Sequence, residues 1–259
     1  MQKLILLLIF PILLSISTKR INSSGTSLHK LVKAGTIECN PKTNGGYNTA
    51  SITLSIKNHG KGQRVLIPFG TRFKSAEGNE QDLIVTEDLI VAVPRNGKKE
   101  VTLDAYCVQQ SNLSPDAGQL FGIAQENDDR LIKVLDFMKG KGYSSSVVQD
   151  AIWAVTDGAH IAGLSMQNEK ERALREFVCE TTGQENVWYD LDREYRETQS
   201  REIVTETKQI AGDISYEVNQ TGNVAMQVTT EDGTVIRELG GGMPIANKGS
   251  YKFRFSMKV

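Results

Sequence analysis

The sequence predicts an α+β fold: an antiparallel β-sandwich followed by a small helical subdomain, plus a small C-terminal β module. Three observations carry this. Residues 35 to 110 hold short apolar segments that alternate with period two, separated by turn signals and with no helical spacing between them. At about residue 115 the apolar spacing changes to that of amphipathic helices, and three such segments follow. Beyond residue 210 alternation returns over about fifty residues. So short a stretch is too small for an independent core and is expected to pack against something.

The chain opens with "MQKLILLLIFPILLSIS", in which Lys3 forms a short basic region and Leu4 to Leu14 an apolar core. Ser15 and Ser17 supply small residues at the −3 and −1 positions of a cleavage site, so residues 1–17 are expected to be a secretory signal peptide. The apolar run is short for a membrane span. No later segment is apolar enough to cross a bilayer, which predicts a mature chain without a membrane span, secreted or periplasmic or held at the cell surface.

The main domain is expected over residues 28–185. "TASITLSIKN" puts Ile52, Leu54 and Ile56 on one strand face, and "HGKG" turns the chain. "RVLIPFG" is a short apolar strand closed by Pro68 and Gly70. "DLIVTEDLIVAV" reads as a strand, and "PRNGKK" joins it to "EVTLDAYCV". Strands at such short spacing suggest an antiparallel sandwich. Next, "NDDRLIKVLDFMKG" places Leu131, Val134, Leu135 and Met138 on one helical stripe, with Asn127 or Asp128 as cap and Gly140 past the end. "SSSVVQDAIWAV" has serine caps and a stripe of Val148, Ala151, Ile152 and Val155. "NEKERALREFVCETTG" has Asn168 and Glu171 at capping-box spacing, a stripe of Ala173, Leu174, Phe177 and Val178, and Gly183 beyond its end. Residues 190–209 are highly charged and lack glycine and proline, and read as a connector, in either exposed strand or helix form. Residues 210–259 form the small β module, with "EDG" as a hairpin turn and Tyr251, Phe253, Phe255 and Met257 alternating in its last strand.

The composition excludes several functions. With 39% hydrophobic and 24% charged residues and a net charge of −1, the chain has the balance of an ordinary globular protein without the basic face of a nucleic-acid binder. His29, His59 and His160 lie far apart and no cysteines are closely spaced, so no metal site is expected. "LGGGMP" lacks the following helix and Gly-Lys-Ser/Thr of a phosphate loop, and no cofactor is expected.

The three cysteines are Cys39, Cys107 and Cys179. In an oxidising compartment an odd number leaves at least one unpaired, and the spacing does not say which. A disulfide between Cys39 and Cys179 is one option, and a bridge from Cys107 to either is another. Cys107 shares a strand face with Val101, Leu103 and Ala105, an apolar face where a thiol packs as a small hydrophobe. In "VVQDAIWAVTDG", Gln149, Trp153 and Thr156 form a band beside the helix's apolar stripe, while Asp150 points away. A part-buried Gln149 amide beside an indole needs a partner, and a backbone group would serve.

"YCV" (Tyr106 to Val108) followed by "VQDAIW" (Val148 to Trp153) resembles the thioester domains of bacterial surface adhesins. The resemblance covers roughly residues 35 to 185. It implies that the Cys107 thiol and the Gln149 side chain condense, with loss of ammonia, into an internal thioester, with Tyr106 and Trp153 shielding it. It further implies a covalent, adhesin-like bond to an amine on a surface partner, made once per molecule and without enzymatic turnover. "IPFGTRFKSAEGNEQDLIVTEDLIVAV" with "VTLDAYC" also resembles secreted β-sandwich proteins. "EDGTVIREL" and "GSYKFRF" resemble the small immunoglobulin-like domains that end some bacterial secreted proteins. Two other readings stand beside this one. Cys107 could be a hydrolase nucleophile with His160 as base, oriented by Asp157. Alternatively the chain is a non-covalent secreted binding or structural protein in which Cys107 only packs.

Overall fold

The computed structural model describes residues 25–46, 51–126, 128–245 and 247–259, so the expected signal peptide lies outside the described residues. The chain starts with β1 (Thr26–Ser27) and a short helix α1 (Leu28–Lys33), then β2 (Ile37–Thr43), β3 (Ser51–Asn58), β4 (Gln63–Ile67) and β5 (Thr71–Ser75). It continues with β6 (Leu83–Ile84), β7 (Leu89–Val93), β8 (Lys98–Asp104), β9 (Tyr106–Cys107) and β10 (Phe121–Gln125). Three helices follow, α2 (Asp129–Met138), α3 (Ser145–Thr156) and α4 (Glu169–Thr182). The end of the chain is β11 (Tyr189–Glu197), β12 (Ile203–Val218), β13 (Gly222–Thr229), β14 (Val235–Ile245) and β15 (Gly249–Lys258). The fold is α+β, dominated by sandwiched sheets that are antiparallel except where β1 runs parallel to β4.

The first half pairs in three sheets, β2-β3-β8, β1-β4-β7 and β10-β5-β6-β9. Ile52, Leu54 and Ile56 of β3 are fully buried, as their alternation predicts. They meet Val65 and Ile67 of β4 and Phe73 of β5 in one core. A second core joins the helices. Leu131, Val134, Leu135 and Met138 of α2 pack with the Val148, Ala151, Ile152 and Val155 stripe of α3 and with Leu174 and Val178 of α4. The helix ends follow their caps. Asp128 accepts from the Arg130 N–H, Ser144 from Val147 and Asn168 from Glu171, while Gly183 takes the left-handed conformation that ends α4.

The two-residue strands β6 and β9 run between these cores. Leu83 pairs with Cys107 and both belong to the sandwich core; Ile84 pairs with Tyr106 and both belong to the helical core. "EVTLDAYCV" is therefore not one strand with one buried face. It breaks at Ala105, β8 pairing with β3 and β9 with β6. Tyr106, Cys107 and Val108 are all buried because β9 has a core on each side. "DLIVTEDLIVAV" divides in the same way into β6 and β7.

Helix α1 lies ahead of the stretch where strands are expected, with Leu28 and Leu31 buried in the sandwich core. Three further expectations are corrected. In α4, Ala173 is exposed, and Arg175 and Cys179 are buried beside Leu174 and Val178. The charged stretch 190–209 takes the strand form of the two expected, but as a paired part of a sheet: it supplies most of β11 and the first half of β12, which form a hairpin and join β15. The stretch is charged because alternate residues face water, while Leu191, Arg193 and Tyr195 turn inward and are half-buried. Finally, Cys39, Cys107 and Cys179 are all unpaired thiols, so the Cys39–Cys179 disulfide is not formed. Cys39 packs on the sandwich core and Cys179 lies in the helical core.

In the C-terminal module, β15 alternates with Phe255 buried and Lys252 and Arg254 exposed. Among the described residues no helix is long and apolar enough to cross a membrane.

Candidate functional site around Cys107 and Gln149

Gln149 lies on the second turn of α3, the helix that packs on β9. Its side-chain amide meets the Cys107 backbone at two points. The Cys107 N–H donates to Gln149 Oε1 at 3.0 Å, and Gln149 Nε2 donates to the Cys107 carbonyl at 2.8 Å. Gln149 is 2% exposed and Cys107 is fully buried. A buried amide without partners would be strongly destabilising, and this clasp satisfies one of its donors and its acceptor at once. Forty-two residues of chain separate the pair.

Burial pushes the Cys107 thiol far above its usual range, and the Glu197 carboxylate on β11 raises it further. Trp153, one helical turn beyond Gln149, is 0% exposed and shares the sandwich core with Cys107. Its indole N–H has no hydrogen-bond partner among the described residues. Tyr106 faces the other way. It packs in the helical core, so it anchors β9 and does not lie beside the Cys107 side chain. Of the two residues expected to shield the pair, only Trp153 is on the thiol's side.

The outer wall of the site comes from β11 and β12. Tyr195 packs edge-on against Trp153, with ring centroids 5.0 Å apart, and its hydroxyl donates to Asp150 at 2.5 Å. Asp150 therefore does not point away to solvent; it is half-buried under β11 and lines a cleft of about 460 Å³ with Ser144, Ser146 and Arg193. Burial raises its carboxyl to about 6, against the opposing pull of the Tyr195 hydroxyl and the Arg193 guanidinium. A carboxyl whose pKa is raised on folding binds more protons in the native state. Stability is therefore expected to fall as pH rises from near 3.8 through about 6. Asp150→Asn, which still accepts from Tyr195, should raise the melting temperature at pH 8 and leave it nearly unchanged at pH 4. Calorimetry at both pH values checks this, and an equal shift at the two would refute it.

The structure does not bring Cys107, His160 and Asp157 together. His160 is exposed, and its Nδ1 accepts from the Ala162 N–H. Asp157 accepts from the Gln110 N–H and the Thr156 hydroxyl. No hydrogen bond joins any two of the three among the described residues. The described residues also hold no cluster of three or more His, Cys, Asp or Glu placed to bind a metal.

Tyr195, Asp150 and Glu197 carry no motif that sequence reading could use. The one available signal was the half-polar alternation of "YDLDREYRE", which becomes informative once that stretch is known to be a strand. The chain matches no protein-family model, no curated protein and no solved structure.

Proposed function

We propose that Cys107 and Gln149 form an internal thioester, and that the protein is a secreted surface protein which bonds covalently to an amine-bearing partner. The observation that carries this reading is the two-point clasp between a buried glutamine amide and the backbone of a buried cysteine. The Cys107 N–H already points at the amide oxygen, where negative charge develops when the thiol attacks. The Cys107 carbonyl holds the nitrogen that must leave. In this reaction the Cys107 Sγ–Gln149 Cδ bond forms and the Cδ–Nε2 bond breaks. The thiol proton passes to the departing nitrogen, which leaves as ammonia. Burial disfavours a free thiolate, so proton transfer accompanies the attack.

Once formed, the thioester is an acyl donor. A partner amine attacks Cδ, an amide to Gln149 results, and the amine proton returns to the Cys107 sulfur. Each molecule reacts once. Water is the competing nucleophile, and exclusion of it by Trp153 and the surrounding core protects the bond until a partner arrives. The apolar leader with its small-residue cleavage site supports export to the cell surface or periplasm, where such a partner is met.

One observation favours a second reading, a non-covalent secreted binding or structural β-sandwich protein. The clasp satisfies the Gln149 amide with backbone groups alone and holds α3 on β9 without any new bond. Intact mass spectrometry of the purified mature protein separates the two. The thioester predicts a deficit of one ammonia, about 17 Da, which Cys107→Ala and Gln149→Ala each abolish. A mass equal to that of the sequence would sink the thioester and leave the structural reading.

A further inference from the structure

The contacts between the C-terminal hairpin and the main domain point to a further role. We infer that the β11–β12 hairpin is a hinged lid over the Cys107–Gln149 pair, with Tyr195 as the residue that decides whether a nucleophile enters. This rests on the thioester reading for its chemistry, though not for its geometry.

The hairpin is held differently at its two ends. At the base, Arg175 of α4 is fully buried and donates to the Val187 and Tyr189 carbonyls and to Asp190. At the tip, Arg201 pairs with Glu80 at 2.6 Å and with Asp116 at 3.1 Å, and its carbonyl accepts from the Ser114 N–H. Glu197 accepts from the Ser114 hydroxyl, and Gln110 donates to Thr205. These tip contacts fall on residues 110 to 116, the segment leaving Cys107, and on Glu80 just before β6. The Gln110–Thr205 bond and the Asp116 carboxylate are exposed and exchange readily with water, whereas Glu80 and Ser114 are buried, so the tip lifts only when the Arg201–Glu80 pair parts.

Between base and tip sits Tyr195, half-buried on the outer face of Trp153 and bonded to Asp150, the neighbour of Gln149. Ile203 of β12 also packs on the sandwich core. With the hairpin down, Cys107 is fully buried and Gln149 is 2% exposed, so neither an amine nor water reaches the pair. Lifting the tip while the Arg175 base holds would uncover Trp153 from the side of the cleft at Asp150. The C-terminal module thereby controls when the acyl donor becomes reactive. Anything that pulls on or binds that module acts on the site through β11. Tyr195 is a positioning residue here, acting through Trp153.

The test compares wild type, Tyr195→Ala and Arg201→Gln in the full mature chain, with melting temperatures to certify folding. Where the wild type shows the ammonia deficit, the readout is the rate of methylamine uptake by intact mass. Where it does not, the thioester reading has failed and the lid is read from the rate of Cys107 alkylation by iodoacetamide, with Cys39 and Cys179 as internal controls. In either case Tyr195→Ala is expected to raise the rate about tenfold or more, equivalent to about 1.4 kcal/mol less protection. Arg201→Gln, which leaves Tyr195 intact, should raise it by a smaller factor. Rates unchanged in both variants would overturn the lid, and so would equal acceleration at Cys39 and Cys179, which reports global loosening.

Discussion

Trp153→Ala is expected to lower the free energy of unfolding by about 3–5 kcal/mol, the range for deleting a large buried aromatic from a core that relaxes only in part. Trp153 is among the largest fully buried side chains; it belongs to the same core as Cys107, and the Tyr195 ring packs against it. Trp153→Phe should cost much less. Phenylalanine keeps an aromatic surface for the Tyr195 ring and removes an indole N–H that has no partner among the described residues. Chemical denaturation of both variants checks the order, and equal losses would mean that the indole N–H makes a contact of its own. The alanine variant also reports on the bond. A thioester that forms and is then hydrolysed leaves a carboxyl at Gln149, so the mass is about 1 Da above that of the sequence. A thioester that never forms leaves the sequence mass. The same variant thus separates loss of shielding from loss of formation.

What the sequence made legible follows from where the physics is local. Ile52, Leu54 and Ile56 alternate because β3 has a core on one face and water on the other, and the pattern survives intact in the fold. The α2 stripe and the Asn168 cap of α4 are equally local. Gln149 beside Trp153 was readable as a helix band, and its backbone partner is the residue that the Cys107 motif had singled out. The parts that could not be read depend on tertiary position. Alternation in "VTLDAYCV" suggests one buried face, yet β9 lies between two cores and buries residues on both. The charges of residues 190–209 suggest a solvated connector, yet Asp190 pairs with a buried arginine, and Arg201 pairs with a buried glutamate. Asp150 looked like a solvent-facing residue on its own helix, and only a strand arriving forty-five residues later covers it. Ala173 and Arg175 exchange the roles that their residue types suggest, because the Arg175 guanidinium finds four acceptors where α4 meets the start of β11.

That arginine carries the other large expected effect. Arg175→Met keeps a long stem for packing and removes every donor to Leu164, Val187, Tyr189 and Asp190. The expected loss is about 3 kcal/mol, at the lower end of the range for breaking a buried pair, since the Asp190 side chain remains 29% exposed. Burial already raises the Asp190 carboxyl despite the guanidinium beside it, so without Arg175 it should rise further. The charge and the carbonyls can be told apart by adding Asp190→Asn to Arg175→Met. If the uncompensated carboxylate dominates, the double variant recovers much of the stability. If the orphaned Leu164, Val187 and Tyr189 carbonyls dominate, it recovers little. Hydrogen exchange along β11 provides the local readout. With its base released, β11 should exchange faster than β3, which pairs within the sandwich and has no contact with Arg175. Equal protection of the two strands would show that the hairpin is held by its tip alone, and the hinge would then have to be placed at Arg201.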